Sequence, residues 1–304
     1  MTVEQPLANG DLAASAATLS ISVVIPAFNE ETGIARVLDQ LTDVLNGCCS
    51  VYEIIVVDDG SEDKTAEVAR QFGVVVFRHP ENMGYGASLK RGILAATHET
   101  ILITDSDGTY DVSAIPSLVA AIEHHDMVVG ARQGDRYEGS LAKSLARKVF
   151  RFLAEYAAGR TIPDINSGLR VMRKSVVVKF FDVASDRFSF TTTITLALML
   201  NGYFVKYVPV KYLDRFGSSK VDHFRDTLRA GQGIVQAILY YNPLKLFLLP
   251  VSLLVLAASS LFLVAFATHS ALILIAAVVA GVGATLMGGV GLLADVVRRA
   301  RIPR

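Results

Sequence analysis

The sequence predicts an α/β fold with a mostly parallel sheet, followed by a pair of membrane-spanning helices. Short apolar runs rich in β-branched residues alternate with helical segments of roughly ten to fifteen residues, which is typical of βαβ units. Several of these runs end abruptly in acidic residues. Two long uncharged runs then occupy about 246–267 and 271–294. These three observations define the architecture.

The apolar runs and the polar residues that end them predict each element of the α/β domain. A strand is predicted where a β-branched run meets Pro, Gly or Asp, and a helix where apolar residues recur every three to four positions. The predicted strands are 21–27, 52–58, 74–77, 101–104, 127–131 and 204–210, with another after the polar loop 163–170. The predicted helices run from about 28 to 46, 64 to 72, 87 to 97, 114 to 124, 139 to 160 and 188 to 200.

The two uncharged runs near the end of the chain each exceed the roughly 20 residues that span a bilayer. Lys245 precedes them, and four arginines follow them, at Arg298, Arg299, Arg301 and Arg304. The positive-inside rule therefore predicts a multi-pass protein of the cytoplasmic membrane, with the large domain facing the cytoplasm. Glycines in the second run permit close helix packing and self-association into a homo-oligomer.

The remaining boundaries follow from composition. Residues 1–18 are rich in Ala and Ser, lack the basic and apolar segments of a signal peptide, and are predicted to form a disordered tail. Residues 19–243 form the predicted α/β domain, and residues 244–304 form the helical hairpin with a short basic end. The adjacent Cys48 and Cys49 have no partners at zinc spacing, so we interpret them as reduced thiols.

Composition also excludes some classes of protein. The 304 residues are 52% hydrophobic with a mean hydropathy of +0.42, which is too apolar for one ordinary soluble domain. Lys plus Arg and Asp plus Glu both number 29, so no overall basic field indicates a nucleic-acid partner. Neither the phosphate-binding loop of P-loop enzymes nor the glycine pattern of nicotinamide dehydrogenases is present at the expected place.

Carboxylates follow the ends of strands that are predicted to be parallel. Asp58 ends the second strand, and Asp105 and Asp107 follow the strand at 101–104. Parallel strands bring their carboxyl ends to one edge of the sheet, where α/β proteins bind ligands. Two hard oxygen ligands suit Mg²⁺ or Mn²⁺ shared with substrate phosphates. The alternative is an acidic turn that binds no metal. Glu30 likewise has a purely structural explanation, since an acidic residue at a helix start complements the helix dipole.

Two basic segments suit a phosphate-bearing partner. The helix at 139–160 is amphipathic and basic, which favours an anionic membrane surface, although an ordinary surface helix has the same pattern. The segment 215–220 places Arg and Lys around small residues, as in a loop that closes over phosphates. A solvated linker is the alternative.

Six segments together resemble the family 2 glycosyltransferases, which have the GT-A fold. Within that family they resemble dolichol-phosphate mannose synthase and the bacterial polyprenyl-phosphate glycosyltransferases. The segments follow the family's order at 24–30, 57–65, 82–86, 105–108, 166–170 and 215–220. Ser106 and Ala27 depart from the usual family residues without removing a needed side chain.

The resemblance implies a role for individual residues. The donor nucleotide sugar would be bound by Pro26, Phe28, Glu30, Asp58, Asp105, Asp107, Ser219 and Lys220. Asp105 and Asp107 would hold the Mg²⁺ or Mn²⁺ cofactor. The acceptor phosphate would meet Arg132, Arg147 and Arg151. The residues expected to act in catalysis are Asp107, Asp164 and Arg215, with Asp164 serving as a base or positioning the sugar.

The activity implied by the resemblance is hexose transfer, with inversion, from UDP-glucose or GDP-mannose to a membrane polyprenyl phosphate. Transfer of an N-acetylhexosamine and a non-enzymatic membrane scaffold are the alternatives that we keep. A processive polysaccharide synthase is disfavoured because the chain has no tryptophan and only two spanning segments. A nucleotidyltransferase is also disfavoured, because enzymes of that class lack a basic segment like the one at 215–220.

Overall fold

The computed structural model describes residues 19–133, 141–187, 189–213, 231–232, 235–236 and 238–301. The side chains of 141–147, 149, 150 and 301 lie outside that description, as do the predictions placed on residues 1–18. The chain forms two compact units, 1–233 and 234–304.

The first unit contains one mixed sheet of seven strands. The strands are β1 (Ser20–Ala27), β2 (Val51–Asp58), β3 (Val75–Arg78), β4 (Thr100–Ile103), β5 (Met127–Gln133), β6 (Arg170–Arg173) and β7 (Val205–Lys211). Their order is β3-β2-β1-β4-β6-β5-β7. Only β6 runs against its neighbours β4 and β5, and the other described pairings are parallel. The predicted α/β class with a mostly parallel sheet is confirmed.

Helices connect the strands. They are α1 (Ile34–Cys48), α2 (Thr65–Arg70), α3 (Tyr85–Ala95), α4 (Ile115–Ala121), α5 (Leu141–Ala158), α6 (Lys174–Val177) and α7 (Phe190–Leu200). The first helix begins later than predicted, because the Glu30 carbonyl accepts from Gly33 N and Ile34 N in a turn that precedes it. Glu30 therefore lies just before α1 rather than within its first turn.

The sheet separates two apolar layers. Alternate residues of β1 face opposite sides, so Val23 and Ile25 join one core with Leu38, whereas Val24 joins the other with Leu89. Both cores are closed to water, and these five side chains have no exposed surface. A sheet covered on both faces leaves its edges and strand ends as the surfaces open to a ligand.

The strand ends that carry polar residues lie at one edge of this sheet. β1, β2 and β4 are parallel, with Ala27 opposite Asp58 in the register. β5 runs in the same direction, because it and β4 are both antiparallel to β6. The carboxyl ends of these four strands therefore form one rim, as the sequence predicted, with Arg132 near the end of β5 and Asp105 just after β4.

The second unit is a helical hairpin. α8 (Pro243–Thr268) and α9 (Ala271–Arg301) contain the predicted runs 246–267 and 271–294, and they join at His269, whose φ is 50°. Gly291 lies against Phe247, and a Cβ on Gly291 would come within 2.8 Å of the Phe247 Cβ and 3.0 Å of its ring. Both helices are long and apolar enough to cross a membrane, and their apolar stretches are almost entirely exposed, unlike a soluble core helix.

Candidate active site

The turns after β1 and β2 are joined by five hydrogen bonds between backbone and side chains, of which three lie around Asn29 and Glu30. Asn29 N donates to Ser61 Oγ at 2.8 Å, and Glu62 N donates back to Asn29 Oδ1 at 2.8 Å. Asn29 has a φ of 53°, which Asn tolerates better than most residues. Glu30 N donates to Thr65 Oγ1 at 2.8 Å, and the Glu30 side chain is 7% exposed. The two turns thus form one preformed wall of the rim, beside Phe28.

Asp58 is fully buried at the end of β2. Its Oδ1 accepts from Ser61 N at 3.0 Å. Its Oδ2 lies 3.2 Å from Arg78 Nε, an ion pair by distance, yet accepts no hydrogen bond from any residue that the structure describes. A buried carboxylate oxygen without a hydrogen bond is costly, so a ligand N–H at this point would be favourable.

Asp59 has a role that the sequence analysis did not assign. Its carboxylate accepts from Met83 N and Gly84 N, both at 2.9 Å, and contacts His79 Nδ1 at 2.8 Å. These contacts shape the loop that leads into α3. The sequence offered one indication, since Asp59 and the segment 82–86 belong to the same family pattern, but their contact spans 24 residues of chain.

The two predicted metal ligands lie directly after β4. Asp105 is partly exposed, and its Oδ1 accepts from the Tyr85 hydroxyl at 2.9 Å. Asp107 is 7% exposed, and its Oδ1 accepts from Thr109 N at 3.0 Å and Thr109 Oγ1 at 2.7 Å. Burial and the nearby Asp105 charge raise the pKa of Tyr85 well above its usual value, so this phenol stays a hydrogen-bond donor.

This pair of carboxylates fits a Mg²⁺ or Mn²⁺ that is shared with a substrate. Within the described ranges, no group of three or more His, Cys, Asp or Glu side chains forms a closed metal cage. Mg²⁺ is usually bound by one or two carboxylates together with substrate phosphates and water rather than by such a cage. The hard oxygen chemistry of Asp105 and Asp107 meets that requirement.

Arg132 and Asp164 form a bidentate ion pair at the end of β5. Arg132 Nε and Nη2 donate to the two Asp164 oxygens at 2.7 and 2.9 Å, and the side chains are 15% and 2% exposed. Asp164 also accepts from Arg132 N at 3.2 Å and Asn166 N at 3.1 Å. A carboxylate has about four lone-pair positions, so these donors occupy all of them.

Arg170 is the largest fully buried side chain that the sequence analysis left without a role. Its guanidinium donates to the Ser167 and Ile165 carbonyls at 2.7 Å each and to Thr195 Oγ1 at 2.6 Å. No carboxylate lies within ion-pair distance of it in the described part of the chain. Burial lowers the pKa of Arg170, yet an arginine stays charged. The buried charge therefore holds the loop between Asp164 and Gly168.

Of the remaining predicted site residues, some are described by the structure and others are not. Pro26 is buried in β1, and Arg151 is exposed on α5. Arg215, Ser219, Lys220 and the side chain of Arg147 lie outside the described residues. The chain leading to Arg215 does approach the rim, because Leu213 N donates to the Thr109 carbonyl at 2.8 Å. Tyr212 lies beside Tyr110, with ring centroids 6.0 Å apart, and 5.5 Å from the Arg132 guanidinium.

The chain is similar to known proteins both in sequence and in fold. A dolichyl-phosphate hexose transferase of Haloferax volcanii is 29% identical over 72% of this chain and 94% of its own length. An undecaprenyl-phosphate 4-deoxy-4-formamido-L-arabinose transferase of Photorhabdus laumondii is 31% identical over 52% of this chain and 50% of its own. The fold also matches glucosyl-3-phosphoglycerate synthase of Mycobacterium tuberculosis, crystallised with Mn²⁺ and UDP, with a TM-score of 0.59 at 21% identity over 78% and 85% of the two chains.

The family assignment rests on more than half of the chain. The model of glycosyl transferase family 2 matches residues 22–181, which include most of β1, all of β2 to β6, the Asp105 and Asp107 pair and Arg170. The mixed seven-stranded sheet is that of the GT-A fold. The chain therefore belongs to glycosyl transferase family 2 and is a glycosyltransferase.

Proposed function

We propose that this glycosyltransferase moves a hexose from a nucleotide sugar to a membrane polyprenyl phosphate, inverting the anomeric centre and releasing a nucleoside diphosphate. The observation that carries the proposal is Arg132, an oriented guanidinium at the same sheet edge as Asp105 and Asp107. The chain that bears it also has two helices of membrane-spanning length. The names of the relatives, a dolichyl-phosphate and an undecaprenyl-phosphate transferase, support the same acceptor.

The donor would bind at the wall formed by the turns after β1 and β2. Asp58 has one oxygen without a hydrogen bond, because Ser61 N occupies the other, and Arg78 Nε lies 3.2 Å from the first. Uracil presents one ring N–H between two carbonyls, whereas guanine presents two adjacent donors that suit a carboxylate with both oxygens available. Asp58 and the neighbouring Arg78 guanidinium thus favour a UDP-sugar over GDP-mannose. Pro26, Phe28 and Glu30 would complete the nucleoside site.

Asp105 and Asp107 would hold Mg²⁺ or Mn²⁺ against the donor diphosphate, as the Mn²⁺ and UDP in the mycobacterial structure suggest. A divalent cation there supplies charge that stabilises the leaving diphosphate. Arg215, Ser219 and Lys220 would add cationic and hydroxyl donors to the same oxygens. The chain enters this segment beside Thr109, two residues after Asp107, which supports that role.

The acceptor phosphate would approach Arg132. One phosphate oxygen attacks the anomeric carbon, forming the new C–O bond as the bond to the diphosphate breaks on the opposite face. A phosphate monoester has a second pKa of about 6 and is already anionic near neutral pH, so no base is needed to activate it. Asp164, whose lone pairs are occupied, would therefore position Arg132 rather than accept a proton.

The lipid acceptor and the two apolar helices would lie in the same membrane. α8 and α9 would cross the cytoplasmic membrane, with Lys245 and the final arginines on the cytoplasmic side. On the described half of α5, Arg151 and Phe152 are both exposed, as suits a helix on an anionic lipid surface. Arg151 and Arg147 would assist Arg132 in attracting the acceptor phosphate.

The test is transfer from a panel of radiolabelled nucleotide sugars to undecaprenyl phosphate in detergent, with and without EDTA. We expect lipid-linked product from UDP-glucose, little from GDP-mannose, and none after chelation. Product from UDP-N-acetylglucosamine alone would select the N-acetylhexosamine alternative. Product that survives chelation would contradict the metal role, and release of free sugar without lipid product would contradict the acceptor.

Arg132→Gln should weaken acceptor binding selectively. Loss of a charge-assisted hydrogen bond costs about 1.5–3 kcal/mol, so we expect KM for undecaprenyl phosphate to rise by roughly 10- to 100-fold, with a smaller change in KM for the nucleotide sugar. Arg70→Gln makes the same substitution at an exposed arginine on α2 and serves as the control. Equal changes in both KM values would place Arg132 outside the acceptor site.

Asp164→Asn separates positioning from proton transfer. If Asp164 only orients Arg132, the variant should keep measurable turnover and an unchanged pH profile, with a raised acceptor KM. Loss of turnover that recovers at high pH would instead identify Asp164 as a base.

A further inference from the structure

We propose that Tyr85 and Gly168 are positioning residues that clamp the Asp105 carboxylate from two sides and fix its orientation for the metal. This inference rests on the proposed function, in which Asp105 holds Mg²⁺ or Mn²⁺. It assigns roles to two residues outside the aspartate pair. The clamp is formed by the Tyr85 hydroxyl on one side and the Gly168 backbone on the other.

Tyr85 is held in place before it reaches Asp105. It is the first residue of α3, and the preceding Gly84 has a φ of 110°, a conformation that strongly favours glycine. Gly84 N donates to Asp59 Oδ2 at 2.9 Å, and Gly86 packs so closely that a Cβ would lie 2.1 Å from the Ser185 carbonyl oxygen. The Tyr85 hydroxyl therefore approaches Asp105 Oδ1, at 2.9 Å, from an anchored helix start.

Gly168 forms the second contact of the clamp. A Cβ on Gly168 would lie 2.6 Å from both oxygens of Asp105, closer than real Cβ atoms approach. Its φ is outside the left-handed region, so backbone conformation does not explain the glycine, and the lack of space beside Asp105 does. Gly168 N donates to the Tyr110 hydroxyl at 2.6 Å, and Arg170 holds the carbonyl of the preceding Ser167. Gly168 is therefore held in place both by its own N–H and by the carbonyl of the residue before it.

A clamped carboxylate loses little rotational freedom when it binds a cation. The hydrogen bond from Tyr85 to Oδ1 and the Gly168 backbone against both oxygens restrict rotation of the carboxylate plane. Residues that orient metal ligands in this way typically contribute 10- to 100-fold to metal affinity. The clamp therefore acts on cation affinity, and it affects turnover only through the bound cation.

Tyr85→Phe tests the hydrogen bond alone. The readout is Mn²⁺ affinity in the presence of UDP, measured by electron paramagnetic resonance on the full-length protein in detergent, together with the melting temperature. We expect Mn²⁺ binding to weaken by about tenfold or more. Tyr207→Phe is the matched control, because the Tyr207 hydroxyl is buried but makes no hydrogen bond to the described residues. That variant should bind Mn²⁺ like the wild type.

Gly168→Ala tests the steric side of the clamp. The added methyl group must displace the Asp105 carboxylate, so Mn²⁺ affinity should fall at least as far as in Tyr85→Phe. In the Asp105→Asn background, Tyr85→Phe should have no further effect, because the oriented ligand is already lost. Wild-type affinity in both Tyr85→Phe and Gly168→Ala would overturn the clamp while leaving the metal site intact. Failure of the wild type itself to bind Mn²⁺ with UDP would overturn the metal part of the proposed function and the clamp with it.

Discussion

Replacing Asp107 with alanine is expected to lower the rate of sugar transfer by at least about 100- to 1000-fold, which is the usual cost of removing one preorganised group that stabilises transition-state charge. The proposed role of Asp107 is to hold the cation on the leaving diphosphate. Radiolabelled transfer to undecaprenyl phosphate measures the loss, and thermal unfolding shows whether the protein remains folded.

Asp107→Asn makes this prediction sharper. Asp107 Oδ1 also accepts two hydrogen bonds from Thr109, which shape the turn after β4. Asparagine keeps an oxygen for those bonds and removes the charge, so it should lose activity almost as fully while keeping the turn. Asp111→Asn is the control, since Asp111 accepts from Ser113 N in a comparable turn outside the proposed site. Near wild-type transfer by Asp107→Asn would contradict the metal assignment.

Arg170→Ala is expected to lower the free energy of unfolding of the α/β domain by about 3–5 kcal/mol. The change removes a fully buried long side chain, creates a cavity, and leaves the Ile165 and Ser167 carbonyls without their donor. For a domain of this size, the melting temperature should fall by roughly 6–20 °C. Differential scanning fluorimetry in detergent measures the shift.

Arg173→Ala is the matched control for this second prediction. Arg173 also donates to three backbone carbonyls, those of Ile122, Glu123 and His125, but its surroundings are partly exposed. Water can replace these hydrogen bonds, so its loss should cost much less. Equal melting temperatures for the two variants would show that the buried guanidinium does not hold the loop between Asp164 and Gly168.

The prediction of this fold from sequence rested on local patterns. The runs that form β1, β2 and β4 are mostly apolar because the sheet is covered on both faces, and their abrupt polar ends located Asp58, Asp105 and Asp107. The direction of β6 could not be read in this way. Its apolar residues suit either direction, and pairing with β4 and β5 decides that it runs against them.

The contacts of Asp164 show what sequence reasoning about the site cannot reach. Its position before 166–168 predicts a base or a sugar-positioning group. The structure pairs it with Arg132, a residue 32 positions earlier in the chain, and occupies its lone pairs. A side chain's protonation and hydrogen-bond role depend on such distant partners, which no local pattern contains.

The sequence by itself determined the α/β class, the acidic rim, the apolar hairpin and the resemblance to family 2 glycosyltransferases, because strand periodicity, strand ends and spanning lengths are properties of consecutive residues. Only the tertiary structure decided that Asp59 shapes the loop before α3, that Arg170 is a buried charge, and that Tyr85 and Gly168 enclose Asp105. Tyr85 and Gly168 contact the same carboxylate although they lie 83 positions apart in the chain. Contacts of this kind arise when the sheet brings distant loops to one edge.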